Sequence, residues 1–101
     1  MLFRSDGGWV GLSADPAYGG QGLPYTLACV VNEFSAAANM AFTMYPGLSA
    51  SAIADITEHA SDALKETYLP KMISGQWAGT MNLTEPHCGT DLGLQIGRAH
   101  V

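Results

Sequence analysis

Charge is what this chain has least of. Only 13% of its 101 residues are Asp, Glu, Lys or Arg, about half the roughly 25% usual in soluble domains. A self-contained small domain normally carries more charge on its surface. Part of this surface is therefore expected to lie against something else, such as further chain, a subunit or a cofactor. The basic residues Arg4, Lys65, Lys71 and Arg98 are scattered singly, and the formal net charge is −5. Binding nucleic acid needs clustered Lys and Arg to neutralise phosphates, so no nucleic-acid partner is expected. Cysteine is equally sparse. Cys29 and Cys88 have no metal-type spacing, and two lone cysteines most simply mean reduced thiols in an intracellular protein. No apolar run approaches the roughly 20 residues that would span a bilayer, so no membrane partner is expected. Met1 to Gly8 is too short and too polar for a secretory signal, and no internal repeat is visible.

What is present is apolar residue at helical spacing. At 48% apolar the chain can bury a core, and its length allows one domain at most. A chain this short buries a smaller share of its surface than a large domain does, which makes a fragment a live expectation. The segment to about Leu23 is rich in turn signals (Gly7-Gly8, Asp15-Pro16, Gly19-Gly20-Gln21-Gly22). Trp9, Val10 and Leu12 give it an apolar anchor, and Trp9 and Tyr18 are expected to be buried. Pro24 then opens a helix. Leu27, Val30, Val31, Phe34, Ala38, Ala41, Phe42 and Tyr45 recur at helical spacing until Pro46-Gly47 ends the run. Ser49 or Ser51 is expected to cap the next helix, with Ala52, Ile53 and Ile56 inside. Ser61 and Asp62 start a third, with Leu64, Tyr68 and Leu69 as its core side, and Pro70 either breaks it or begins a short turn ending at Ser74-Gly75. From Trp77 to Leu83 the period changes toward two, which predicts a strand.

Four constellations bear on chemistry. The Gly19–Gly22 run lacks a preceding strand, and Pro24 removes an N–H donor, so a structural turn is favoured over a phosphate loop. Asp55 and His59 are spaced i, i+4, but no third metal ligand accompanies them, and a polar helix face explains them. His87 and Cys88 are neighbours whose side chains point to opposite sides on an extended segment, which disfavours a nucleophile and base pair. The loop Thr84–Asp91 is the informative one. Thr84 offers a hydroxyl at the strand end, Gly89 permits close backbone approach, and Thr90 adds a hydroxyl beside an N–H. Such groups suit a neutral or anionic ligand edge. Glu85 and Asp91 read as partners for nearby N–H groups rather than as acid–base residues.

Several words of sequence, in order, resemble the acyl-CoA dehydrogenases. They are Gly8-Trp9-Val10-Gly11-Leu12, the Gly19–Pro24 turn, Tyr68-Leu69-Pro70-Lys71-Met72, Ser74-Gly75-Gln76-Trp77, and Leu83-Thr84-Glu85-Pro86 followed by Gly89-Thr90-Asp91. The wording Asn39-Met40-Ala41-Phe42, Met44 to Leu48 and Gly79-Thr80-Met81 is similar to the branch that includes the 3-methylmercaptopropionyl-CoA dehydrogenases. The resemblance runs from about Gly8 to Leu94. It implies a mainly α fold: a helical N-terminal domain plus the first strand and loop of a middle β domain. It also implies FAD as cofactor and an acyl-CoA thioester as substrate, oxidised by α-proton removal and hydride transfer to the flavin. Met81, Leu83 and Thr84 match positions that contact the flavin ring. Gly89 and Thr90 match positions near its phosphates, and Thr90 also matches an acyl-CoA contact. Thr43, Gly47 and Ser51 fall near the floor of the acyl pocket.

By the same resemblance the catalytic Glu belongs to a C-terminal domain outside this sequence, so the isolated chain is expected to be inactive. Electron-transfer flavoprotein and a homo-oligomer are the implied partners. The implied compartment is the cytoplasm for a bacterial parent or the mitochondrial matrix for a eukaryotic one. Residues 1–76 are then part of the helical domain and 77–95 the start of the β domain. The last six residues, Ile96 to Val101, are what ATCGGAAGAGCACACGTC encodes, part of a common short-read sequencing adapter, and 96–101 are expected to be foreign. The alternatives are an acyl-CoA oxidase fragment, which differs in oxygen access, and a small helical interaction module without cofactor. The last leaves the Thr84–Asp91 loop unexplained.

Overall fold

Helix propensity and capping residues divide the middle of the chain into four helices, and these dominate the computed structural model, which describes residues 7–94. Helix α1 spans Tyr25–Ala38, α2 Met40–Met44, α3 Gly47–His59 and α4 Asp62–Ile73. Ahead of them lie two short 3-10 turns, Trp9–Gly11 and Pro16–Tyr18. Asp15 caps the second, its carboxylate accepting from Ala17 N–H at 2.8 Å, with Pro16 in the first position, where a missing N–H costs nothing. The mainly helical reading is borne out.

The expected single helix from Pro24 to Tyr45 is two. Asn39 adopts an extended backbone (φ −161°, ψ 96°) and its side-chain oxygen accepts from Phe42 N–H at 3.1 Å. A side chain that can satisfy a helix's first N–H groups competes with continuing the previous helix. Pro24 stands just before α1, at its N-cap. Neither Ser49 nor Ser51 caps α3, which begins at Gly47; both lie within it. Ser61 is the N-cap of α4 without a side-chain cap bond, and Pro70 lies inside that helix instead of breaking it. Its ring nitrogen cannot donate to the preceding turn, which carries a cost, but Ser74 N–H still donates to Pro70 O at 3.1 Å and the helix closes past it.

The core sits between α3 and α4. Ile53, Leu69, Met72 and Ile73 form it, with Ala14, Tyr18, Ala52 and Ile56 packed against it. Leu69, Met72 and Ile73 recur at i, i+3, i+4, one face of a helix. The expected inner face of α4 is corrected accordingly: Leu64 and Tyr68 are exposed and Leu69 is fully buried. Trp9 is also half exposed, at 50%. Helix α1 buries none of its residues, and Phe34 stands 70% open. The sparse charge and the apolar α1 thus have a common structural expression in uncovered apolar surface.

Residues 77–83 form no strand, and no strand occurs among the described residues. Their period-two pattern is real, but a strand is defined by ladder hydrogen bonds to a neighbour, and no such ladder forms among the described residues. The adapter-encoded tail expected at 96–101 lies outside the described residues.

Candidate functional site

The candidate loop leaves the helical layer through a stapled segment. Trp77 N–H donates to Lys71 O at 3.0 Å, and Lys71 Nζ sits 4.3 Å from the Trp77 ring centroid, a cation–π contact. Tyr68 meets the same ring with centroids 5.8 Å apart and planes tilted by 60°. Two residues on, Gly79 N–H donates to Ser49 Oγ on α3 at 2.9 Å. A Cβ at Gly79 would stand 2.9 Å from Ala52 Cβ and 3.1 Å from Leu48 O, so the backbone passes over α3 at a distance only glycine permits. This satisfies the hydroxyl of Ser49, the buried polar side chain of the helical layer. The sequence carried no signal for it, because donor and acceptor are thirty positions apart.

Beyond the staple, Met81, Leu83 and Thr84 are exposed. Along an extended segment, Met81 and Leu83 fall on the same side. The chain then turns sharply. Glu85 N–H donates to Cys88 O at 2.9 Å, and Cys88 N–H donates back to Glu85 O at 3.2 Å, with Pro86 and His87 at the tip. The turn brings Thr84 and Gly89 side by side: a Cβ on Gly89 would meet Thr84 Cγ2 at 3.9 Å and nothing closer. Gly89 and Thr90 are exposed, and Thr90 O and Asp91 O accept from Leu92 and Leu94 N–H at 3.1 and 3.2 Å. Four of the expected contacts, Leu83, Thr84, Gly89 and Thr90, therefore flank one clamped turn, and Met81 lies just upstream.

His87 and Cys88 do not pair with each other, as their adjacency led one to expect. Both turn to Glu85. His87 Nε2 lies 3.2 Å from Glu85 Oε2 and 3.3 Å from Leu94 O, and the Cys88 thiol points to Glu85 Oε2 at 4.0 Å. Cys88 is buried while Cys29 is exposed. This three-residue cluster was missed in the sequence, where Glu85 was assigned to nearby N–H groups. Asp55, Glu58 and His59 are exposed on α3, consistent with a solvated face. The Gly19–Gly22 run is a structural turn: Gly20, Gln21, Gly22 and Leu23 N–H groups donate to Asp15, Gly11, Ala14 and Leu12 O at 2.8–3.0 Å.

A second feature is an open apolar groove of about 760 Å³ between the first turn, α1 and the start of α3. Thr43 and Gly47 line it beside Phe34, Phe42 and Trp9, whereas Ser51 does not. Ser51 instead donates to Gly47 O within its own helix at 3.2 Å. The groove has the size of small-molecule sites, and none of the loop residues 81–91 lines it.

The model of the acyl-CoA dehydrogenase N-terminal domain matches residues 4–76. The chain is 45% identical over 87 residues to a 3-methylmercaptopropionyl-CoA dehydrogenase of Ruegeria pomeroyi, covering 86% of this chain and 15% of that protein. It is 41% identical over 71 residues to a butyryl-CoA dehydrogenase of Syntrophomonas wolfei, covering 70% of this chain and 12% of that one. A mitochondrial isovaleryl-CoA dehydrogenase of Oryza sativa subsp. japonica is 39% identical over 83 residues, 81% of this chain and 20% of the relative. The chain thus spans a fifth or less of the length of these curated relatives.

Proposed function

The chain belongs to the acyl-CoA dehydrogenase family, and from that premise we propose that it supplies the helical wall and one flavin-facing edge of a flavin-dependent acyl-CoA dehydrogenase. The family is generally FAD-dependent; bound FAD would accept the hydride from the acyl β carbon, and the protein's part is binding and alignment. Met81 and Leu83 would offer apolar contact to the flavin ring, with the Thr84 hydroxyl as a hydrogen-bonding group at its edge. Gly89 and Thr90 would bring N–H groups and a hydroxyl to the phosphates, and Thr90 would also touch the acyl-CoA. Thr43 and Gly47, on the apolar groove, would bound the acyl chain. Glu85 is engaged by His87 and Cys88, so it is not assigned the α-proton. That role is assigned to a carboxylate elsewhere in the longer enzyme.

One observation carries this reading. The stapled Trp77–Gly79 segment delivers an exposed apolar strip directly into a turn that sets Thr84 beside Gly89, the order a ring-then-phosphate ligand requires. The groups fit FAD: the hydroxyls of the exposed Thr84 and Thr90 and an open space where Gly89 lacks a side chain. By the same reading residues 1–76 and 77–95 belong to successive domains. The assembled enzyme is a homo-oligomer of the cytoplasm or mitochondrial matrix that passes electrons to electron-transfer flavoprotein. A helical module without cofactor would not need this loop.

The test is made on the longer reading frame recovered from the source DNA. Purified enzyme should carry FAD, and an acyl-CoA should bleach its flavin absorbance. Thr84→Val and Gly89→Val should each lower flavin retention while leaving the helix signal unchanged. The 101-residue chain alone should show no acyl-CoA-dependent bleaching. An extended enzyme that never holds flavin, or bleaching by the short chain, would overturn the assignment.

A further inference from the structure

We propose that Glu85, His87 and Cys88 form a three-ligand site for a divalent transition-metal ion of the zinc type, separate from the flavin reading above. Their ligand atoms, a carboxylate oxygen, an imidazole nitrogen and a thiol sulfur, all lie within 4.8 Å of one another. Two of the separations are 3.2 Å, from Glu85 Oε2 to His87 Nε2, and 4.0 Å, from the same oxygen to Cys88 Sγ. Zinc bonds of about 2.0–2.3 Å at tetrahedral angles place ligand atoms roughly 3.3–3.7 Å apart. The separations therefore need to change by about 1 Å or less, within the reach of side-chain torsions alone.

The backbone is already set for it. The reciprocal Glu85–Cys88 hydrogen bonds close the turn, and Pro86 fixes one of its φ angles. Little chain entropy remains to be lost when the three ligands are drawn together. Burial differs usefully among them: Cys88 is buried, Glu85 half-buried and His87 exposed. The thiol is thus screened from oxidants and from other partners, while the imidazole side leaves an approach for the ion and a fourth position for water. A set of one sulfur, one nitrogen and one oxygen selects zinc or cobalt over magnesium or calcium, which prefer oxygen alone.

Protons balance simply. The ion replaces the thiol proton, which leaves to solvent as the S–metal bond forms. The imidazole binds through Nε2 as its neutral Nδ1–H tautomer and releases none. One proton should therefore appear per ion bound when the ring starts neutral.

The experiment is a Co²⁺ titration of the reduced 101-residue chain, followed by absorbance and by proton release. The expected result is a thiolate-to-cobalt charge-transfer band that saturates at one ion per chain, is displaced by Zn²⁺, and is accompanied by one proton. Cys88→Ser should abolish the band, and His87→Gln and Glu85→Gln should each weaken affinity by at least about tenfold. Cys29→Ser and His59→Gln, away from the turn, should leave it unchanged. No band and no proton release from the parent chain would overturn the site, whatever the variants do. So would a band that survives Cys88→Ser or disappears with Cys29→Ser. Thr84→Val and Gly89→Val keep all three ligands, so the flavin reading can fail in those variants without touching this one.

Discussion

Gly79→Ala tests whether the segment leading to the candidate loop is held on α3 as described. The added methyl would stand 2.9 Å from Ala52 Cβ and 3.1 Å from both Leu48 O and Ser49 Cα. Comfortable carbon contacts lie at about 3.5–4.0 Å, and these are helix atoms that cannot swing aside. The segment must lift by roughly 0.5–1 Å. That stretches the 2.9 Å bond from Gly79 N–H to Ser49 Oγ beyond good hydrogen-bond range. Overpacking costs about 1–3 kcal/mol and the lost bond about 1 kcal/mol more, so the whole change is worth about 2–4 kcal/mol. Ser49→Ala alone removes only the bond and should cost about 1–2 kcal/mol. Because Gly79→Ala already breaks that bond, the double variant should cost no more than about 0.5 kcal/mol above Gly79→Ala alone. Urea unfolding of the full chain, followed by far-UV circular dichroism and tryptophan fluorescence, measures all four corners of the cycle. In a heating scan each kcal/mol should lower Tm by roughly 4–8 °C for a domain of this size. A Gly79→Ala change within about 0.5 kcal/mol of the parent chain, or costs that simply add, would refute the staple.

Three further substitutions probe the helical layer. Leu69→Ala empties a fully buried large side chain, the only one among the described residues, and should cost about 2–5 kcal/mol; circular dichroism at 25 °C would show most of the helix signal lost, and an unchanged spectrum and midpoint would contradict the assigned core. Asn39→Ala removes the cap on Phe42 N–H and should cost about 0.5–2 kcal/mol; backbone chemical shifts should turn helical through position 39, fusing α1 and α2. Pro70→Ala restores an N–H inside α4 and should stabilise the chain by about 1–2 kcal/mol; a lower urea midpoint would mean that the ring has a packing role beyond its helix.

Helical content was legible because apolar residues recur at helical spacing from Leu27 onward, and the loop was legible because Thr84, Gly89 and Thr90 are few-purpose groups in a short span. The break at Asn39 was not, since the apolar spacing runs through it unbroken and only the local competition of one side chain ends the helix. The inner face of α4 was misjudged for a related reason. Leu64, Tyr68 and Leu69 and the true set Leu69, Met72 and Ile73 both obey helical spacing, and choosing between them needs the position of α3. Trp77 to Leu83 carries a strand's alternation, but alternation does not supply the neighbour that a ladder needs. Ser49 and Glu85 were read as local capping groups, whereas their contacts are Gly79 in one case and His87 with Cys88 in the other.

The opening segment has a consequence for how freely this chain can vary. From Gly20 to Leu23 it is laced to residues 11–15 by main-chain groups alone, and such groups belong to every amino acid except proline, which lacks the donor. Saturation mutagenesis scored by folding should therefore find Ala17 and Leu23 permissive to most replacements other than proline, whereas Gln21 also donates through its side chain to Gly8 O at 3.0 Å and should be less so. Gly20, where any side chain would run into the Ala14 carbonyl, should accept none. A map of that kind would show sharp intolerance at isolated glycines set in a stretch of near-indifference, the signature of a segment whose shape is written in its backbone.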